Sequence, residues 1–159
     1  MTWFRLDKTD WQDYRDSLDL QVDGNHTLEY YSRDYAGNIE TTRVLNIKID
    51  TQHPHIYLKK PLKNTLYILD RELIHLPFRT IIIGKITLET QVSDIPSGIE
   101  KVLFYVDDTL QYTDTHEPYE WIYTEKNLFF PCHTVMMKAV DTAGNITETD
   151  KQDIWYFCF

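Results

Sequence analysis

The sequence predicts an all-β protein of the two-sheet sandwich class, and three observations lead to that prediction. Short segments such as Ile86–Val92 alternate apolar and polar residues with a period of two, which is the pattern of half-buried strands. Aromatic residues make up 14% of the chain, with 11 tyrosines, and they favour a pleated surface. About seven such strands between His55 and Phe159 match the count expected of a sandwich.

Composition and charge exclude several classes of function. The 159 residues include 42% hydrophobic and 26% charged residues, which is typical of a chain that builds a packed core. A net charge of −9 disfavours nucleic acid as a partner, because a phosphate backbone would be repelled. No run approaches the roughly 18 apolar residues of a membrane span. No apolar leader follows Met1, so we expect any secretion signal or anchor to lie outside this chain.

An internal repeat organises the chain. The stretch His26–Ile39 recurs without a gap as His133–Ile146, with identical His, Thr, Asp, Ala, Gly, Asn and Ile positions. A period near 100 residues is the size of one sandwich domain. Each copy runs from a strand through Asp-x-Ala-Gly-Asn into a second strand, Thr42–Ile49 or Ile146–Phe157, and so predicts a β-hairpin.

The turn of each hairpin has a physical explanation. Aspartate accepts hydrogen bonds from backbone amides ahead of it, and Gly and Asn tolerate a positive φ. The predicted structural turn residues are Asp34, Gly37, Asn38, Asp141, Gly144 and Asn145.

The two copies differ in what precedes them. The second hairpin follows several predicted strands, whereas the first follows only Trp3–Asp7, which aligns with Leu103–Asp107. We therefore expect a partial unit at residues 1–53, with the C-terminal strands only, and a complete sandwich at residues 54–159. About 50 residues with one apolar face cannot bury a full core alone. We expect either that the chain is cut from a longer one or that this half packs on something else.

Further motifs lie around both hairpins. The first unit has Gly24–Thr27, Tyr30–Asn38 and Lys48–Pro54, and the second has Val92–Asp107 and Thr113–Trp121. In this order they resemble the Ig-like repeats of bacterial and archaeal surface proteins. The resemblance implies an immunoglobulin-like β-sandwich preceded by a partial Ig-like unit, in a secreted or cell-surface protein. Such modules accompany peptidases, glycosidases and adhesins, and a fold does not fix a role.

Few residues are candidates for chemistry. No histidine has a metalloprotease spacing and neither cysteine lies in a nucleophile motif, so we predict no enzyme activity and no cofactor. Calcium binds several hard oxygens, which makes Asp94, Asp107 and Asp141 its candidate ligands in the loops. Turn capping explains the same three residues without a metal.

The remaining candidate sites each have two interpretations. Trp121, Tyr123, Phe129 and Phe130 either stack on sugars or pack in the core. Asn25 and Asn145 begin Asn-x-Thr sequons, and both are candidates for glycosylation.

Cys132 and Cys158 lie at similar distances in sequence from Gly144, and we expect them to face each other across the second hairpin. They are either bridged or two buried free thiols.

The sequence favours a non-catalytic structural or spacer module that positions neighbouring domains of a longer chain, outside the cell or on its surface. The alternative is an accessory module of a secreted hydrolase or peptidase that binds carbohydrate or a protein ligand. Exposed, coplanar aromatic residues on one sheet face would favour binding, and their absence would favour the spacer.

Overall fold

A computed structural model describes residues 1–126 and 131–158 of the protein. The chain divides into two compact units, Met1–Thr51 and Gln52–Phe159, two residues before the boundary expected from the sequence. Within the described ranges, the model contains no helix of the length and hydropathy needed to cross a membrane.

The first unit is a single antiparallel sheet of four strands in the order β2-β1-β3-β4. The strands are β1 Thr2–Leu6, β2 Gln12–Asp13, β3 Gly24–Ser32 and β4 Arg43–Ile49. The hairpin predicted from the repeat is β3–β4, in which Leu28 pairs with Leu45. None of residues 1–51 is fully buried, so this sheet has no closed core of its own.

The described residues of the second unit form eleven strands. They are β5 His55–Lys60, β6 Thr65–Ile68, β7 Arg71–His75, β8 Thr80–Ile83, β9 Ile86–Ser93, β10 Ile99–Val106, β11 Thr109–Asp114, β12 Glu120–Tyr123, β13 Cys132–Asp141, β14 Ile146–Glu148 and β15 Gln152–Phe157.

Two sheets make up the second unit. The larger has the order β11-β10-β13-β15-β8-β6-β7, with β14 beside β13, and the smaller has the order β12-β9-β5. One core cluster draws side chains from both sheets, including Phe104 and Met137 from the larger and Leu88 and Tyr123 from the smaller. Because the two sheets share this core, the second unit is a β-sandwich.

The alternation read from the sequence matches the burial in the central strands. Val102, Phe104 and Val106 of β10 are 0–4% exposed, and Val135 and Met137 of β13 are fully buried. Side chains at every second position of a strand point to the same face, and here that face is the core.

The second strand of the second hairpin differs from its prediction. The sequence predicted one strand over Ile146–Phe157, but the structure has β14 and β15 with a break between them. Glu148 pairs with Lys138, whereas Gln152 pairs with Val135, so the register shifts by one residue across the break. At the break the Thr149 hydroxyl accepts a hydrogen bond from the Met137 amide, which takes the place of the regular ladder.

Residues 58–80 contain the end of β5, the hairpin of β6 and β7, and the first residue of β8. Strands β6 and β7 pair antiparallel, and β8 then lies parallel to both β6 and β15. The larger sheet is therefore mixed, because β8 makes parallel pairs with β6 and β15 whereas the other pairs in the sheet are antiparallel.

Candidate functional site

The Asp-x-Ala-Gly-Asn turn of the second unit is built around a fully buried carboxylate. One oxygen of Asp141 accepts hydrogen bonds from the amides of Ala143 (2.9 Å) and Asn145 (2.8 Å). The other oxygen accepts from the Asn145 side-chain amide at 2.8 Å. Burial of Asp141 opposes its ionisation, but these donors outweigh it and hold its pKa below the ordinary value.

The first unit repeats this turn with nearly the same distances. The Asp34 carboxylate accepts from the amide and the side chain of Asn38, at 2.9 and 2.7 Å. Gly37 and Gly144 have φ values of 95° and 97°, a conformation that glycine adopts without strain. The six predicted turn residues thus make equivalent contacts in both units.

A second duplicated contact joins an aspartate to a histidine and a threonine. In the second unit the Asp107 carboxylate lies 2.6 Å from Nδ1 of His133 and accepts from the Thr134 amide at 2.8 Å. In the first unit Asp7 lies 2.7 Å from Nδ1 of His26, and it accepts from the Thr27 amide at 2.8 Å.

The aspartate of this contact lies at a tight turn. Asp7 and Lys8 have φ values of 51° and 61°, and Asp107 and Asp108 have 50° and 61°. Two successive positive φ values are the mark of a type I′ hairpin turn. The contact therefore ties the turn after β1 or β10 to the beginning of the strand that pairs with it in the sheet, β3 or β13.

The repeat places His26 and His133 at equivalent positions, but their aspartate partners were not identified from the sequence. The signal was present, because Asp7 and Asp107 occupy aligned positions at the end of Trp3–Asp7 and Leu103–Asp107.

The calcium candidates fall into two places. A carboxylate oxygen of Asp94 and one of Asp141 lie within 4.8 Å of each other, near the start of β10. Asp107 follows the far end of the same strand, where it holds His133. Asp94 accepts from the Ser97 hydroxyl and the Gly98 amide, and Asp141 holds its own turn.

The two aromatic candidates that the structure describes, Trp121 and Tyr123, do not form an exposed row. Tyr123 is 2% exposed and belongs to the core. Trp121 is half-buried, stacks on Tyr112 at 5.9 Å and contacts Phe104. Core packing therefore accounts for Tyr123 and for most of Trp121. Phe129 and Phe130 lie outside the described residues.

The two cysteines do not face each other as the sequence suggested. Cys132 pairs with Trp155, three residues before Cys158, and both cysteines are free. Cys132 lies 12 residues before Gly144 and Cys158 lies 14 after it, whereas the register of the ladder places Trp155, only 11 residues after Gly144, opposite Cys132. Nor are both thiols buried, since Cys132 is exposed.

The two sequons differ in their surroundings. Asn25 is exposed on β3, opposite Lys48. Asn145 is half-buried, and its side-chain nitrogen already donates to Asp141.

A groove of about 550 Å³ lies on the second unit beside β8, β13 and β15. It is lined by polar and charged residues together with Phe78 and Trp155. The guanidinium carbon of Arg79 lies 3.9 Å from the centroid of the Trp155 ring, and Phe78 is 74% exposed. Sequence reasoning missed this site, because Arg79 and Trp155 are far apart along the chain and form no motif.

Comparisons with known proteins agree with this architecture. Residues 79–147 match a family model described as bacterial Ig domain. Among solved structures, the fibronectin(III)-like modules of Clostridium thermocellum CbhA match with a TM-score of 0.50 and 18% identity. That match covers 66% of this chain and 98% of the other, and at this identity it shows the fold alone. No curated protein matches the chain.

The core shared by two sheets, the family match within the second unit and the fibronectin-like neighbour all lead to one assignment. The chain is an all-β, Ig-like β-sandwich protein whose residues 79–147 match the bacterial Ig domain family.

Proposed function

We propose that this chain is a non-catalytic spacer module of a secreted or cell-surface protein, and that it positions neighbouring domains of a longer chain. Many cell-surface domains share this sandwich architecture, which supports the proposed location. The chemistry of the chain supports the same role, because its best-organised polar groups hold turns and strand ends in place.

One observation carries the proposal. The repeated aspartates and histidines make the same contacts in both units, although one unit has a closed core and the other does not. Asp7, Asp107 and Asp141 each accept from backbone amides close by in the fold. The His26 side chain and then the Thr27 amide lower the pKa of Asp7, whereas burial opposes the ionisation of Asp107 and Asp141 but their hydrogen-bond donors outweigh it and lower each pKa. A carboxylate already committed to amides and a turn is poorly placed to act as a general base. Function in such a module lies in its length and stiffness.

A binding role is the second candidate, as part of a secreted hydrolase or peptidase with carbohydrate or protein as the ligand. What favours it is the groove beside Arg79, which lies outside the duplicated contacts. A spacer and a binding surface are compatible, since one side of a sandwich can carry a ligand while its two ends connect to neighbours.

The spacer role can be tested by joining a fluorescent protein to each end of the chain. Single-molecule energy transfer should give one narrow distribution, because a folded module fixes the distance between its ends. A Gly/Ser linker of the same length is the control, and it should give a broad distribution. A distribution as broad as that of the linker would reject the spacer role, whereas ligand binding is measured separately.

A further inference from the structure

The groove beside Arg79 presents hydrogen-bond donors that lack acceptors. Among the described residues no carboxylate lies within ion-pair distance of Arg79, and none lies within that distance of Lys63, which also lines the groove. The indole nitrogen of Trp155 is buried and has no hydrogen-bond partner in the described structure. An unmet buried donor costs free energy, so a ligand oxygen that reached it would be favoured.

The guanidinium of Arg79 is held in place before any ligand arrives. The guanidinium carbon lies 3.9 Å from the centroid of the Trp155 ring, a cation–π contact that restrains the guanidinium and leaves its N–H groups as donors. Trp155 itself lies on β15 between strands β13 and β8, where Cys132 and Ile81 are its partners. A planar fork of this kind matches the two oxygens of a carboxylate.

The other charges of the groove are mostly accounted for. Lys151 pairs with Asp108, and Asp107 holds His133. Asp153 is exposed on β15, and it adds one carboxylate to the lining of the groove. The balance of positive and negative charge in the groove thus differs from that of the whole chain, whose net charge of −9 would repel a polyanion.

Phe78 adds an apolar surface at the groove. Its side chain is 74% exposed, which is unusual for a ring of this size beside a polar cleft. An exposed aromatic ring can stack on the apolar face of a sugar, while Asn64 and Asp153 offer groups for its hydroxyls.

We propose that this groove binds an acidic saccharide, with the uronate carboxylate on Arg79 and a sugar ring on Phe78. The site goes beyond the spacer role and does not depend on it. A saccharide fits better than an acidic peptide, because the groove combines one oriented guanidinium with an aromatic ring and hydroxyl partners.

Calorimetric titration of the full chain with trigalacturonate tests the proposal. Its fully methyl-esterified form has the same ring and no charge, so it isolates the role of the carboxylate. We expect millimolar or tighter binding of the acid and at least about tenfold weaker binding of the ester. Added salt should weaken binding of the acid. Absence of binding at millimolar concentrations, or equal affinity for acid and ester, overturns the proposal.

Variants locate the site. Arg79→Gln should weaken binding at least about tenfold, and Phe78→Ala about threefold or more. Arg71→Gln, on the exposed edge strand β7, is the matched control and should bind like the parent. Arg79→Lys keeps the charge but loses the fork, and it should also bind more weakly. Thermal melts verify that each variant is folded. If Phe78→Ala and a folded Arg79 variant both bind with unchanged affinity, the assigned site is refuted.

Two further probes separate saccharide from bare carboxylate. Hexaglutamate and sodium acetate should both bind at least about tenfold more weakly than trigalacturonate. Equal or tighter binding of either probe shows recognition of a carboxylate without the sugar, and it overturns the saccharide assignment.

Discussion

At the scale of single residues, Asp141 and Asp34 show one contact in two environments. Both accept from the asparagine four residues later, through its backbone and its side chain. Asp141 is fully buried, whereas Asp34 is exposed. The cost of losing a carboxylate should differ accordingly, because water can replace it only where water reaches the amides.

Asp141→Ala should therefore destabilise the second unit by about 2–3 kcal/mol, since it removes the buried acceptor of two part-buried hydrogen bonds from the amides of Ala143 and Asn145. Asp34→Ala is the matched variant in the first unit and should have a smaller effect, because its amides are solvated. Urea denaturation with peptide-resolved hydrogen exchange measures both. Equal losses in the two units would show that burial does not set the cost.

His26 is held by acceptors on both ring nitrogens. Nδ1 lies 2.7 Å from Asp7 and Nε2 lies 2.7 Å from the Val22 carbonyl. The charged imidazolium donates at both nitrogens, so Asp7 first and then Val22 raise the pKa of His26 above its ordinary 6.5. The Asp7 pKa is lowered by His26 first and then by the Thr27 amide.

Nuclear magnetic resonance titration should accordingly give a His26 pKa above 6.5, and Asp7→Asn should lower it. Asp10→Asn, a nearby exposed aspartate, is the control and should leave it unchanged. The Asp7 share of stability is present above its ordinary pKa of 3.8 and is lost as pH falls through the lowered value. The His26 share is complete below 6.5 and is lost as pH rises through the raised value. A His26 pKa that Asp7→Asn does not change would contradict this account.

At the scale of elements, β1 and β10 are equivalent strands with different surroundings. Phe104 of β10 is fully buried between two sheets, whereas its counterpart Phe4 of β1 is half-buried and makes an edge contact with Tyr14. The same aromatic position therefore contributes a core residue in one unit and part of a sheet surface in the other.

Phe104→Ala should cost about 3–5 kcal/mol, because it removes a buried ring and leaves a cavity. Phe4→Ala should cost less, about 1–2 kcal/mol, because its ring is already partly hydrated. Urea unfolding of each variant, followed through the tryptophans of the affected unit, gives the comparison. A larger loss for Phe4 would mean that the first sheet is covered in solution.

The strands that could be predicted are those whose pairing is local. Alternation placed β9 and β10, and the repeated hairpins placed β3, β4 and β13, because neighbouring strands leave their pattern in a short window. The parallel pairing of β8 with β15 could not be predicted, since it joins residues more than 70 positions apart. The break before Gln152 was missed because Thr149, Asp150 and Lys151 include no Gly or Pro that would mark an interruption of the strand.

The candidate sites divide in the same way. The turn residues follow from local chemistry, since an aspartate and the amides it binds lie within four residues. The groove at Arg79 depends on Phe78, Arg79 and Trp155 meeting across strands that no sequence motif connects.

At the scale of the whole molecule, the two units bury their residues very differently. The second unit has a core cluster of fully buried side chains, whereas none of residues 1–51 is fully buried. Local opening is easiest where few apolar contacts hold the backbone, so the two units should differ in their dynamics.

Hydrogen exchange of the full chain should show the slowest amides in β10 and β13 and faster exchange throughout β1 to β4. The strands of both units are hydrogen-bonded, so the difference would report packing. Exchange in denaturant provides the fully labelled control. Equal protection in the two units would indicate that the first is stabilised by contacts beyond its own sheet.

The duplicated hairpin has a consequence for how such chains can be altered. The stretches His26–Ile39 and His133–Ile146 have the same length. In each, a histidine and a threonine contact an aspartate outside the stretch, and an aspartate inside it binds the asparagine four residues later. The two stretches are therefore interchangeable with respect to these polar contacts, which are the same in both units. Exchanging one copy for the other would keep those contacts and change seven other positions, which include charged residues such as Glu29, Arg33 and Lys138. A recombination event within this stretch therefore leaves a chain that can still close its turns.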